Sequence, residues 1–134
     1  MSKATLKMDL FTGLVMSYVK IWNKEIGSYS PMYIAIDTGA SITTLSKDIL
    51  HLAGYDVFGG VTRRITTASG VEFVKEVVID KLMLGNIVLN NVMVYAHTFP
   101  QESFSSGVLG INVLSLFDVN LLFSKQIIEL TMIK

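Results

Sequence analysis

An apolar run, Met32-Tyr33-Ile34-Ala35-Ile36, passes without interruption into Asp37-Thr38-Gly39-Ala40-Ser41. Nothing else in the chain constrains its fold as tightly. The run reads as a buried strand, and the residues after it require a sharp turn, where Gly39 lacks the Cβ that would oppose the path. The result is a carboxylate projected from rigid support, as a catalytic group should be, and not from a loose tip. Thr38 adds a hydroxyl that can pin the turn. The motif occurs once in 134 residues. One carboxylate cannot act as general acid and general base together, so a working site of this kind needs a second copy from a second chain.

Around this motif the pattern is that of a small β domain. Residues 5–10 alternate with period two, residues 14–21 are β-branched and aromatic, and the two flank a Thr12-Gly13 turn. Residues 27–31 read as a loop before the motif strand, and Ser41–Leu45 as a short strand after it. Residues 46–54 read as a helix of about two turns, with Ser46 as N-cap and Gly54 just past the end. Val61–Thr67 and Val71–Val78 form a hairpin around Ala68-Ser69-Gly70, and Ile79–Leu84 and Ile87–Tyr95 form another around Gly85-Asn86. His97–Ser106 is polar loop, Gly107–Gly110 a tight apolar strand, Ile111–Phe117 helical, and Val119–Phe123 and Gln126–Ile133 closing strands. Many short strands, two short helices and no strand–helix–strand rhythm predict an all-β, barrel-like fold in one domain, residues 1–134.

Composition narrows the function classes. Apolar residues make up 51% of the chain and charged residues 16%, so part of the surface is expected to be buried against a partner. Eleven Lys and Arg balance eleven Asp and Glu, which leaves no net field to draw nucleic acid or a membrane surface. The Arg63-Arg64 doublet fits a solvated strand edge. The absence of cysteine excludes disulfides, zinc–thiolate sites and cysteine nucleophiles. The N-terminal residues alternate without the apolar core of a signal peptide, and no run is long enough to cross a bilayer. A soluble, cytoplasmic protein is the expectation.

Other chemistry-bearing residues are weaker candidates. His51 and His97 have no ligand spacing between them, so they read as surface or packing residues, with no metal site expected. Ser41 has no base nearby in sequence. Asp118 is followed by Val119-Asn120 rather than a Thr-Gly turn, so it is not the missing second carboxylate. The seven Met residues are scattered and suit core gaps, while Trp22 suits core or interface.

Three features in order resemble the retropepsin-like aspartic proteases, more closely the cellular and bacterial members than the viral ones. They are the strand with Asp37-Thr38-Gly39-Ala40-Ser41, the hairpin Ile65–Val71, and Val108-Leu109-Gly110-Ile111-Asn112 followed by a helix and a last strand. The resemblance runs from the motif strand to the C-terminus. It implies a closed β-barrel of the acid-protease type, active as a homodimer, with one Asp37 per chain and no cofactor. It further implies an aspartic endopeptidase whose flap, Thr67-Ala68-Ser69-Gly70, covers a bound peptide. Thr38, Gly39, Ala40 and Ser41 would support the active-site loop, and Gly110 would pack under it. Ile36, Val61, Ile65, Val71, Val108 and Leu109 would wall apolar subsites. A catalytically inactive dimerisation or peptide-binding module of the same fold is the alternative; inhibition by a statine-type transition-state mimic separates the two.

Several positions depart from the viral pattern. Ser41 and Ile111 stand where viral members usually pair an acidic residue with an arginine, a concerted loss that implies a different dimer contact. The turn Thr67–Gly70 is stiffer than a glycine-rich tip, and residues 1–22 are longer than their viral counterpart. Ala40 stands where pepsin-like lobes carry a serine. Without that hydroxyl, less stabilises the ionised pair, and activity is expected at mildly acidic to neutral pH.

Overall fold

Period-two burial runs through most of the longer strands, and it is this alternation that builds the structure, a computed structural model describing residues 2–99 and 105–133. The strands are β1 (Lys3–Lys7), β2 (Asp9–Phe11), β3 (Leu14–Asn23), β4 (Ser28–Ile36), β5 (Thr44–Ser46), β6 (Thr62–Thr67), β7 (Gly70–Leu84), β8 (Ile87–His97), β9 (Gly107–Leu109), β10 (Phe117–Leu122) and β11 (Ile127–Met132). The helices are α1 (Lys47–Leu52) and α2 (Ile111–Leu114). Among the described residues no helix is long and apolar enough to cross a membrane.

The strands form two sheets. One has the order β1-β11-β10, and the other β2-β3-β4-β9-β5-β8-β7-β6. A further pairing, Lys20 with Met83 and Ile21 with Leu82, joins β3 to β7 and bends the larger sheet into a ring. The ring closes unevenly. Two residue pairs also join β5 to β9, whereas β7 and β8 pair along most of their length. Inside lies one core that includes Ile21, Ile34, Leu50, Ile79, Leu82 and Leu109, and β1 and β11 cover it with Leu6, Ile128 and Leu130. Trp22 is half-buried at the rim, with Lys81 Nζ 4.8 Å from its ring centroid.

Several boundaries differ from the sequence reading. Residues 28–31 belong to β4, because β3 runs on to Asn23 and pairs with them. Pro31 is tolerated there because β4 has a neighbour on one side only at that level; β9 joins from Ile34. β7 is one strand where two were expected, since nothing between Val78 and Ile79 turns the chain. β5 starts at Thr44; before it Ser41 O and Thr43 N bond to Asn112 at the start of α2, and only Thr43 O reaches a strand, accepting from Tyr95 N of β8 at 2.9 Å. His97 ends β8, paired with Ser46, and is not in the loop; residues 100–104 of that loop lie outside the described residues. α2 stops at Leu114, and buried Phe117 opens β10 opposite Met132. By contrast α1 starts on Ser46, whose Oγ accepts from Ile49 N at 3.4 Å, and ends before Gly54 at φ +91°.

Candidate active site

β4 is held between β3 and β9 where Ile34, Ala35 and Ile36 lie opposite Gly107, Val108 and Leu109. The ladder continues one residue further: Asp37 N donates to Leu109 O at 3.0 Å. The chain then turns. Gly39 N donates to Asp37 Oδ1 at 2.9 Å and Ala40 N to Asp37 O at 3.2 Å. A Cβ on Gly39 would sit 3.2 Å from that same Oδ1, so a side chain there would press on the carboxylate. The turn thus fixes Asp37 through its own side chain.

The rest of the loop is clamped from below. Ala40 O accepts from Ile111 N at 2.8 Å, and Ser41 O from Asn112 N at 3.0 Å. Thr43 is fully buried; its Oγ1 accepts from Gly110 N at 3.0 Å and donates to Asn112 Oδ1 at 2.9 Å. Asn112 Oδ1 also accepts from Thr43 N at 2.7 Å, while its Nδ2 donates to Met93 O at 2.8 Å. One amide side chain therefore ties the loop to β8. Gly110 lies so close that a Cβ would fall 2.7 Å from both Ala40 O and Ile42 C.

Opposite the loop stands the β6–β7 hairpin. Its turn is Ala68-Ser69, closed by the Thr67–Gly70 pair, with Ser69 N donating to Thr67 Oγ1 at 3.2 Å and Gly70 at φ +122°. Between hairpin and loop lies a cavity of about 630 Å³. Of the residues singled out in the sequence, Asp37, Gly39, Ala40, Ser41, Ile65, Thr67, Ala68 and Val108 line it. Leu109 does not: it is 1% exposed and in the core, because neighbours along a strand point to opposite faces and Val108 takes the cleft side. Val71 is turned outward for the same reason, since its neighbour Glu72 takes the cleft side. Ile36 packs against the core, Val61 is exposed outside the lining, and Thr38, Ser69 and Gly70 sit on the loop and at the hairpin tip. Gly110 lies under the loop.

Ile42, Thr44, Thr66, Glu72, Tyr95, His97 and Phe99 complete the lining and were not anticipated. Tyr95 and His97 had a signal: they are two apart on a strand whose alternate residues, Val94 and Ala96, are apolar and buried. His97 Nε2 lies 3.6 Å from Glu72 Oε2, and its ring stands edge-on to Phe99 at 5.6 Å. His51 is exposed, edge-on to Phe58 at 5.4 Å and outside this lining. Among the described residues no group of three or more His, Cys, Asp or Glu could hold a metal ion. Asp118 lies exposed on β10 opposite Thr131, away from the cavity lining.

Residues 23–113 match the model of the aspartyl protease family. The fold superimposes with a TM-score of 0.66 on a retropepsin-like aspartic protease from Rickettsia conorii, at 15% identity, covering 96% of this chain and 88% of that one. No curated protein matches the sequence.

Proposed function

The chain belongs to the aspartyl protease family, and from that premise we propose that it is an aspartic endopeptidase working as a homodimer, with one Asp37 from each chain. The observation that carries this reading is the placement of Asp37. It sits on a doubly braced turn at the floor of a cleft, facing a hairpin that can lie over an extended peptide. Two such carboxylates about 3 Å apart cannot both ionise and share one proton. The charged member takes a proton from a water held between them, and the water oxygen attacks the peptide carbonyl carbon. The protonated member gives its proton to the carbonyl oxygen. The tetrahedral gem-diol then collapses: the carboxyl that took the water proton gives it to the amide nitrogen, the other carboxylate takes a proton from one hydroxyl, and the C–N bond breaks to leave an acid and an amine.

The hairpin supplies strand-like backbone groups to a bound peptide, and in this reading it is the flap. Ile42, Ile65 and Val108 give the cleft apolar walls and favour hydrophobic side chains beside the cut. The scheme uses no metal and no covalent intermediate.

Replacing Asp37 by Asn is the test. The amide keeps an oxygen for Gly39 N, so the turn is preserved while the acid–base pair is lost. Cleavage of a mixed peptide library, followed by mass spectrometry, is expected to fall about a thousandfold or more. Cleavage at the wild-type rate would end the proposal.

A further inference from the structure

Asp37 occupies the floor of the cleft, while Glu72 on β7, opposite Ile65 in the ladder, brings a second carboxylate to the wall. No lysine or arginine is among the described lining residues. Arg63 on the same hairpin donates from Nε to Glu76 Oε1 at 2.7 Å, and Lys47 and Lys75 line a separate cavity that also touches His97. Tyr95 and Phe99 add aromatic rings to the wall that holds Glu72. The one ion-pair partner of Glu72 among the described residues is loose, because 3.6 Å to His97 Nε2 exceeds hydrogen-bond length and the glutamate side chain is 37% exposed. A carboxylate in a cleft that Tyr95 and Phe99 also line, with no lysine or arginine among its described lining residues, is the chemistry that receives a basic side chain.

We propose that Glu72 is a specificity-determining residue, taking a lysine or arginine side chain of the bound peptide in place of His97. This rests on the peptidase reading above and adds a polar subsite to its apolar walls. His97 is the side chain beside Glu72 when the cleft is empty.

Competitive cleavage of a fully randomised peptide library by wild type, Glu72→Gln, Glu72→Lys and His97→Gln tests it. Wild type is expected to enrich Lys and Arg about fivefold at one fixed distance from the cut, less at high salt. Glu72→Gln should lose that enrichment, Glu72→Lys should shift it toward Asp and Glu, and His97→Gln should keep it. Cleavage without a basic preference, or a preference that survives Glu72→Gln, overturns the inference and leaves the peptidase reading standing. If wild type cleaves nothing, that reading falls, and equilibrium binding of fluorescent peptides with lysine walked through a norleucine parent decides the matter. At least one lysine peptide must then bind wild type about fivefold tighter than the parent and lose that advantage with Glu72→Gln. Equal binding overturns the inference.

Discussion

At Gly110 the site depends on a few tenths of an ångström. The residue has an ordinary backbone, with φ at −99°, so alanine meets no conformational penalty there. Its Cβ would instead meet backbone atoms of residues 40, 42 and 43 at 2.7–2.8 Å, and none of these can swing aside as a side chain would. Gly110→Ala is therefore expected to destabilise the fold by about 2–3 kcal/mol and to lower kcat/KM by displacing the Asp37 loop. Urea unfolding checks the first effect, and an unchanged midpoint would contradict it. Tyr33 offers a second case. Its O–H donates to Asp9 Oδ2 at 2.6 Å, and that hydrogen bond to a carboxylate pushes the phenol up to about 12. The neutral form is favoured in the fold, so this stabilisation is intact below pH 10 and disappears as pH rises through about 12. Tyr33→Phe should lower stability below pH 10 and show a shallower decline above it. Urea midpoints measured across that range would contradict the account if the two proteins declined in parallel.

At the scale of elements, local chemistry was readable and long-range register was not. The Thr12-Gly13 and Gly85-Asn86 turns, and the end of α1 at Gly54, were marked by glycines that adopt positive φ. The strand leading to Asp37 was marked by its uninterrupted apolar run. The cleft wall was different, because it is assembled from β6, β7, β8 and β9, and only the register between them says which residue of each pair faces inward. Val108 and Leu109 look alike in sequence, yet only one can face the cleft. Glu72 and His97 are 25 positions apart and meet just beyond the Lys75–Ala96 end of the antiparallel β7–β8 ladder. Asn112 carries no catalytic signature, and its role appears only where Thr43 and Met93 converge on its amide.

For the whole molecule, the terminal strands matter most. β1 and β11 pair within one chain, Lys3 with Thr131 through Lys7 with Ile127, and β10 adds to the other side of β11. A second copy therefore cannot insert between these termini without displacing an existing ladder. It must approach through a free edge or face, and the outward Val119 and Leu121 of β10 belong to the apolar surface open to such contact. The proposed chemistry requires that approach to bring the two Asp37 loops together. Activity of wild-type protein, equilibrated with increasing Asp37→Asn protein until subunits have exchanged, tests this most directly. If each site needs a carboxylate from both chains, an equal amount of the variant should cut total activity to about half, with further loss as the excess grows. Activity that stays constant while mixed dimers form would mean that one Asp37 suffices, and would contradict the account.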